Sequence, residues 1–484
     1  MADSLKQKTF KGMVWRSGES FITYGVSFVV GIILARILNP ADFGLIAMVE
    51  VFTVIASRFA DSGFTNALIR KNDRKDIDYS TVYVTNVVIS TVFALILFFV
   101  ATPIANFYNQ PLLQKIVRFN ALMVFLGSFL AVQSARLTIQ LDFKTRGIIN
   151  VVAATITGIV SIVLAFLGYG VWALVYPALF TLLAKAVLFW RYQRWFPGFK
   201  FSWKIWREFF SFGSKLLLSD LLNTVYGYIY PLVIGKKFSA TDLGYYTKAD
   251  SYAGLPSTVS TSVLSNVTFP VLARIQDDDT ALQSVYRRLI SLSAFIVFPI
   301  LMGICALAKP LIICLLTEKW SESVIYLQIL CFALMWYPVH ALNLNLLQVK
   351  GRSDLFLRLE VIKKILGVAI LIVSIPFGLV YMCAGRVLSS VICLVINTHY
   401  TGKLIHVGFF KQMKDIAPSL LYSLAMGLSV WFLIQWIPNL WIQLFAGIPA
   451  GLAFYYGIAK LTKSPELAYM MQLLQENFLR NGKQ

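Results

Sequence analysis

The chain has 484 residues, of which 58% are hydrophobic and only 14% charged, and its formal net charge is +20. One soluble core of this length has no room for that much apolar side chain, which excludes an ordinary soluble globular protein. Apolar runs recur that are long enough, at about 1.5 Å per residue, to cross a hydrocarbon layer of ~30 Å, so the chain reads as an all-α polytopic membrane protein.

In chain order, a basic N-terminus leads into a first expected span at 12–36, with no small-residue cleavage site behind it, so this helix is expected to be retained. Arg16 and Glu19 lie inside it, and Arg16, Ser20, Thr23 and Ser27 share a face. The polar turn "RILNPADFG" (36–44) follows. The next span, 43–68, carries Glu50, Thr53, Ser57 and Asp61 on one face and Arg58 beside it. Spans at 79–101, 113–136, 147–167 and 170–191 complete a first set of six. The basic, aromatic stretch 191–213 is expected to include a short helix in the membrane interface.

The seventh span, 209–235, aligns Lys215, Ser219, Asn223, Tyr226 and Tyr230 and adds Asp220. The turn "KKFSATDLG" (236–244) leads to 242–270, with Lys248 and Asp250 near its start. Spans at 284–306, 324–348, 360–377 and 379–402 complete a second set of six. Two nearly pure apolar spans, 415–437 and 440–461, and an amphipathic tail helix at 464–482 end the chain, giving fourteen expected spans.

The two turns align at a displacement of two hundred positions, Arg36 on Lys236, Asp42 on Asp242 and Gly44 on Gly244. Two weaker echoes keep the same order: "TIQLDF" (138–143) with "LLQVKG" (346–351), and "LGYGVW" (167–172) with "PFGLVY" (376–381). The expectation is two parallel six-helix repeats forming two lobes, 1–200 and 201–405, around a central cavity, with helices thirteen and fourteen and the interfacial C-terminal helix in 406–484. Asp42 and Asp242 are expected to cap the helices that follow, and Arg36 and Lys236 to sit at an outer gate.

Sorting the loops by side puts most of the 43 Lys and Arg residues on one face; the other receives only Arg36, Lys115, Arg118, Lys236, Lys237, Lys309 and Lys319. The positive-inside rule then places both termini in the cytoplasm, and the charge reads as topogenic rather than as a nucleic-acid footprint.

An ionisable residue at mid-membrane costs roughly 2.5–3.5 kcal/mol or more unless it faces water or a partner. Arg16, Glu19, Arg58, Asp61, Lys215, Asp220, Lys248 and Asp250, with Asn223, gather on the equivalent first two helices of each repeat, and they are the candidate cavity residues. Simpler readings stand beside this one: Arg16 could pair with Glu19, Asp61 with Arg58, and His340 could be a satisfied interior histidine. Five cysteines without a CxxC and three scattered histidines suggest no metal and no cofactor. The chain carries no GxxxxGK[ST], HExxH or GxSxG, and its outer loops are short, which counts against an enzyme.

The stretch "LARILNPADFGLIAM", the "GYGVWALV" (168–175) that opens helix six, and two six-helix sets with two extra helices resemble the polysaccharide-transporter, or Wzx-type flippase, branch of the MOP superfamily, over essentially the whole chain. The resemblance implies a flippase that moves undecaprenyl-diphosphate-linked oligosaccharide units across the bacterial inner membrane by alternating access, for O-antigen, capsule or exopolysaccharide assembly. It implies a cationic cavity, carried here by Arg16, Arg58, Lys215 and Lys248, and a lipid-tail groove beside helices thirteen and fourteen. The cognate polymerase and chain-length machinery are implied partners. A drug or cation antiporter of the same superfamily, led by Asp61 and Asp220, and a membrane-embedded assembly enzyme remain the alternatives.

Overall fold

The computed structural model describes the backbone of residues 2–61, 63–193 and 195–481, and their side chains except 2–14, 16, 17, 262, 263, 265–267, 473, 474 and 477–481. The regular structure among the described residues is helical, with no strand. The chain divides into two compact units, Met1–Gly244 and Tyr245–Gln484.

The first unit holds α1 (Ala2–Ile37), α2 (Pro40–Asp61), α3 (Phe64–Arg70), α4 (Asp76–Tyr108), α5 (Leu112–Ile139), α6 (Phe143–Phe166), α7 (Trp172–Val175), α8 (Pro177–Gln193), α9 (Trp203–Gly227) and α10 (Ile229–Lys237). The unit boundary falls inside α11 (Ala240–Arg274). The second unit continues with α12 (Asp279–Ala306), α13 (Ala308–Leu316), α14 (Ser323–Leu334), α15 (Tyr337–Val349), α16 (Ser353–Ser374), α17 (Leu379–Ile405), α18 (Phe409–Gln435), α19 (Leu440–Leu461) and α20 (Pro465–Asn481).

Among the described residues, eleven helical segments are long and apolar enough to cross a membrane, or twelve when α9 and α10, bent by 41°, count as one span. The other two expected spans, 242–270 and 360–377, fall on α11 and α16. Both are helices of ample length, but α11 carries Lys248, Asp250, Pro256 and Pro270, and α16 carries Arg358, Glu360, Lys363 and Lys364. Their polar content keeps them out of the count, and the total of fourteen remains an expectation.

One local expectation is corrected. The aromatic connection does not form a separate interfacial helix: residues 195–202 are non-helical and α9 runs unbroken from Trp203. The reason is packing. Phe209 is buried, and Trp206 and Phe210 lie 6.2 and 6.5 Å from the Phe64 ring of α3, so this segment joins a core with Leu68 and Val82.

The repeated turns fold alike. Asp42 Oδ2 accepts the Asn39 N–H at 3.0 Å, and Asp242 Oδ2 accepts the Ser239 N–H at 3.1 Å. Each aspartate is thus the third helical residue reaching back to the N-cap, not the N-cap itself. In the second copy Ser239 Oγ also accepts the Asp242 N–H at 3.0 Å, which completes a capping box. Positive φ occurs in both hairpins of the weaker echo, at Gly168 (81°) and at Gly378 (102°), although the echo sets Gly378 against Tyr169 rather than Gly168.

Candidate functional site

In the first unit, α2 and the α9–α10 pair run antiparallel along a seam with matched contacts at successive levels. At one end, a Cβ added to Gly44 would fall on the Ala240 carbonyl, and one added to Gly244 would fall on that of Pro40. Residues 40 and 240 hold the same place in the two turns, four before each glycine, so the two turns pack on each other by the same glycine contact. Next, Gly235 leaves room for Met48, whose side chain would be 3.0 Å from a Cβ there. Tyr228 Oη then donates to Glu50 Oε1 at 3.0 Å. Arg58 Nη1 meets Asp220 Oδ2 at 3.1 Å. At the far end, Gly63, with φ 69°, brings its backbone so close to Gly213 that a Cβ would be 2.6 Å from the Gly213 carbonyl.

Arg58 therefore pairs across the seam with Asp220 rather than with Asp61 on its own helix. The side chains at positions 58 and 61 leave α2 in different directions. Asp61 accepts the Thr65 hydroxyl and lines a cavity of about 440 Å³ with Thr53, Ser57, Ser128 and Thr181, on the side of α5 and α8. Asn120 donates to Thr53 Oγ1 at 3.1 Å in the same region. Glu19 accepts from Asn150 of α6 at 2.6 Å, while the side chain of Arg16 lies outside the described residues. Lys215 and Asn223 are exposed on α9. At the turns, Arg36 is exposed, and Lys236 donates to the Phe107 carbonyl and sits 4.6 Å above the Phe107 ring.

The second unit has its own charged cluster. Asp250 Oδ1 accepts from Arg386 Nη1 at 2.6 Å, and the same nitrogen donates to Tyr246 Oη at 2.8 Å. Lys248 lies 5.9 Å over the Trp320 ring. His340 has a partner on each ring nitrogen, Ser390 Oγ at 3.1 Å and Asn397 Nδ2 at 3.2 Å, which is the satisfied interior histidine of the simpler reading. Beside it, Asn343 and Gln412 exchange amide hydrogen bonds at 3.0 and 3.1 Å, and Thr401 donates to Asn343 Oδ1 at 2.6 Å. Along α12, α18 and α19 runs an apolar groove of about 480 Å³, lined by Pro299, Gly303, Met426, Gly447, Gly451 and Tyr455. No group of three or more potential metal ligands occurs among the described residues.

Residues 33–325 match a family described as polysaccharide biosynthesis protein. The chain belongs to that family. Curated relatives extend the likeness to nearly full length. The lipopolysaccharide biosynthesis protein WzxC of Escherichia coli (strain K12) is 25% identical over 93% of this chain and 88% of its own. The succinoglycan biosynthesis transport protein ExoT of Rhizobium meliloti (strain 1021) is 23% identical over 98% and 97%. Among solved structures, the lipid II flippase MurJ in an inward closed conformation superposes with a TM-score of 0.76, covering 93% of this chain and 98% of its own at 15% identity. An inward-facing multidrug resistance MATE transporter of the MOP superfamily gives 0.61 over 80% and 96%, also at 15% identity. The polysaccharide biosynthesis family thus meets a transporter fold, in a multi-pass membrane protein.

The sequence reading of this family member missed Arg386 and Tyr228. Arg386 was within reach, being a charge inside an otherwise apolar expected span, the same signal that singled out Arg58. Tyr228 carried none, since a tyrosine in a membrane helix is ordinary.

Proposed function

We propose that this protein is a flippase that carries a polyprenyl-diphosphate-linked oligosaccharide across the bacterial inner membrane for surface polysaccharide assembly. The observation that carries the reading is the near full-length likeness to relatives named for polysaccharide biosynthesis and transport, in a fold like that of a lipid II flippase.

In this reading two lobes, 1–200 and 201–405, rock about a cavity, and both termini are cytoplasmic. Arg16, Arg58, Lys215 and Lys248 attract the diphosphate, whose charge needs donors to replace water. Glu19, Asp61, Asn223 and Asp250 orient those cations and accept from sugar hydroxyls, and Asp220 pairs with Arg58 while the site is empty. The glycine-lined turns, with Arg36, Asp42, Lys236 and Asp242, form the outer gate. The polyprenyl chain stays in lipid along the groove of α12, α18 and α19, whose walls offer it apolar contact. The cognate polymerase would receive the exported unit.

The test is translocation in liposomes. Purified protein should expose an undecaprenyl-diphosphate sugar, loaded in the inner leaflet, to an impermeant glycosidase outside. Protein-free and heat-inactivated vesicles set the baseline, and exposure at that baseline would sink the reading. A cation antiporter would instead move a lipophilic cation against a proton or sodium gradient in the same vesicles. Asp61 in its hydroxyl-lined cavity is the observation that keeps this second reading.

A further inference from the structure

We infer that Asp220 is a resident competitor for Arg58, so that a phosphate group must displace a carboxylate of the protein before it can bind there. This rests on the flippase reading and concerns how tightly, and how reversibly, the anionic head is held.

The pair differs from the structural ion pair of the second unit. Arg287 holds Asp415 through two short bonds, Nε to Oδ2 at 2.7 Å and Nη2 to Oδ1 at 2.6 Å, and the Asp415 side chain is only 11% exposed. Arg58 and Asp220 meet at 3.1 Å, and their side chains are 50% and 49% exposed. A pair this open shifts an equilibrium by no more than about fivefold. It compensates the guanidinium without locking it.

A diphosphate is a better partner for the same fork. It carries more charge than a carboxylate and presents paired oxygens that match two guanidinium N–H groups. Once it sits on Arg58, Asp220 faces an anion instead of a cation. The like charges repel, and one contact of the α2–α9 seam is lost. Breaking the pair therefore lowers the affinity for the head, and occupancy by the head weakens the seam. By linkage these are one effect seen from two sides: whatever opens the seam frees Arg58, and whatever fills Arg58 loosens the seam. A carrier needs this balance, since a head held too tightly is not released.

The experiment uses the full chain in lipid nanodiscs, titrated with inorganic pyrophosphate and separately with undecaprenyl diphosphate. Asp220→Asn and Asp220→Ser should each bind both probes about two- to fivefold more tightly than wild type. Combining either change with Arg58→Gln should abolish the gain. A seam residue with a merely structural role would leave affinity unchanged or lower it. If wild type binds both probes and both Asp220 variants bind no tighter, the competitor role is overturned while the flippase reading stands. If wild type shows no saturable binding of either probe, the flippase reading falls and the competitor role with it.

Discussion

Gly44 of α2 lies directly against the backbone of Ala240 at the start of α11, and the contact is returned by Gly244 against Pro40. Neither glycine has positive φ, so both are required for space rather than for backbone freedom. Gly44→Ala should force the two helix starts apart, at a cost of about 1–3 kcal/mol as for other overpacked contacts. Thermal unfolding in detergent measures it, and Gly244→Ala should match it in sign and rough size. An unchanged midpoint in both variants would contradict the geometry.

Tyr228→Phe removes the hydroxyl that donates to Glu50 at 3.0 Å. A hydrogen bond to a charged group contributes about 1.5–3 kcal/mol, and the exposure of Glu50 pulls the expected loss to the lower end of that range. Glu50→Gln keeps an acceptor and should cost less. Urea unfolding of the two variants orders them, and the reverse order would show that the carboxylate is held by something other than Tyr228.

Asn343→Leu should destabilise the second unit strongly. Asn343, Gln412 and Thr401 are all buried, and the substitution removes the donor to Gln412 Oε1, while Gln412 Nε2 keeps the Val407 carbonyl at 2.9 Å and the Thr401 hydroxyl keeps the Asn397 carbonyl at 3.2 Å. A buried acceptor left without its donor costs about 1–3 kcal/mol. Paired replacement, Asn343→Leu with Gln412→Leu, should recover part of the loss, and a double variant less stable than Asn343→Leu alone would argue against the amide exchange.

Gly303→Leu fills the groove between α12, α18 and α19 at a position where an added Cβ meets only the Met426 methyl, at an ordinary 3.8 Å. The prediction is a correctly folded protein with several-fold slower translocation in the liposome assay, because a polyprenyl chain loses its seat. Wild-type rates would show that the chain does not use this groove.

At the start of α16, the hydrogen bond from Arg352 holds the Asp354 carboxyl down to about 2, below its ordinary 3.8. A depressed carboxyl contributes its stability above the unfolded value and loses it as pH falls through about 2. The Arg352 and Asp354 side chains are 46% and 62% exposed, so the gain is small. Infrared titration of the carboxylate band should show one acid still ionised near pH 3, and Arg352→Gln should remove it.

Much of the helical plan is written locally. A run such as 79–101 or 440–461 has one physical solution in a membrane, and the capped turns announce themselves by Asp and Gly. The bend between α9 and α10 was not legible, nor was the continuation of α9 back to Trp203, because burial of Phe209 against α3 decides it. The site was harder. Arg58 and Asp220 were each found as misplaced charges, yet their pairing depends on two helices far apart in the chain lying antiparallel. Asp61, three residues from Arg58, looked the nearer partner, and only the seam sends the two side chains different ways.

The amide exchange between Asn343 and Gln412 has a mechanical meaning. It rivets α18 to α15, with Thr401 of α17 in the same joint, while the Arg287–Asp415 clasp and the bond from Tyr455 Oη to the Phe295 carbonyl at 2.9 Å fasten α18 and α19 to α12. The last hairpin is therefore a passenger bolted to its carriage. Any displacement of α12 or α17 drags the apolar groove with it, so the groove keeps its shape while its position changes.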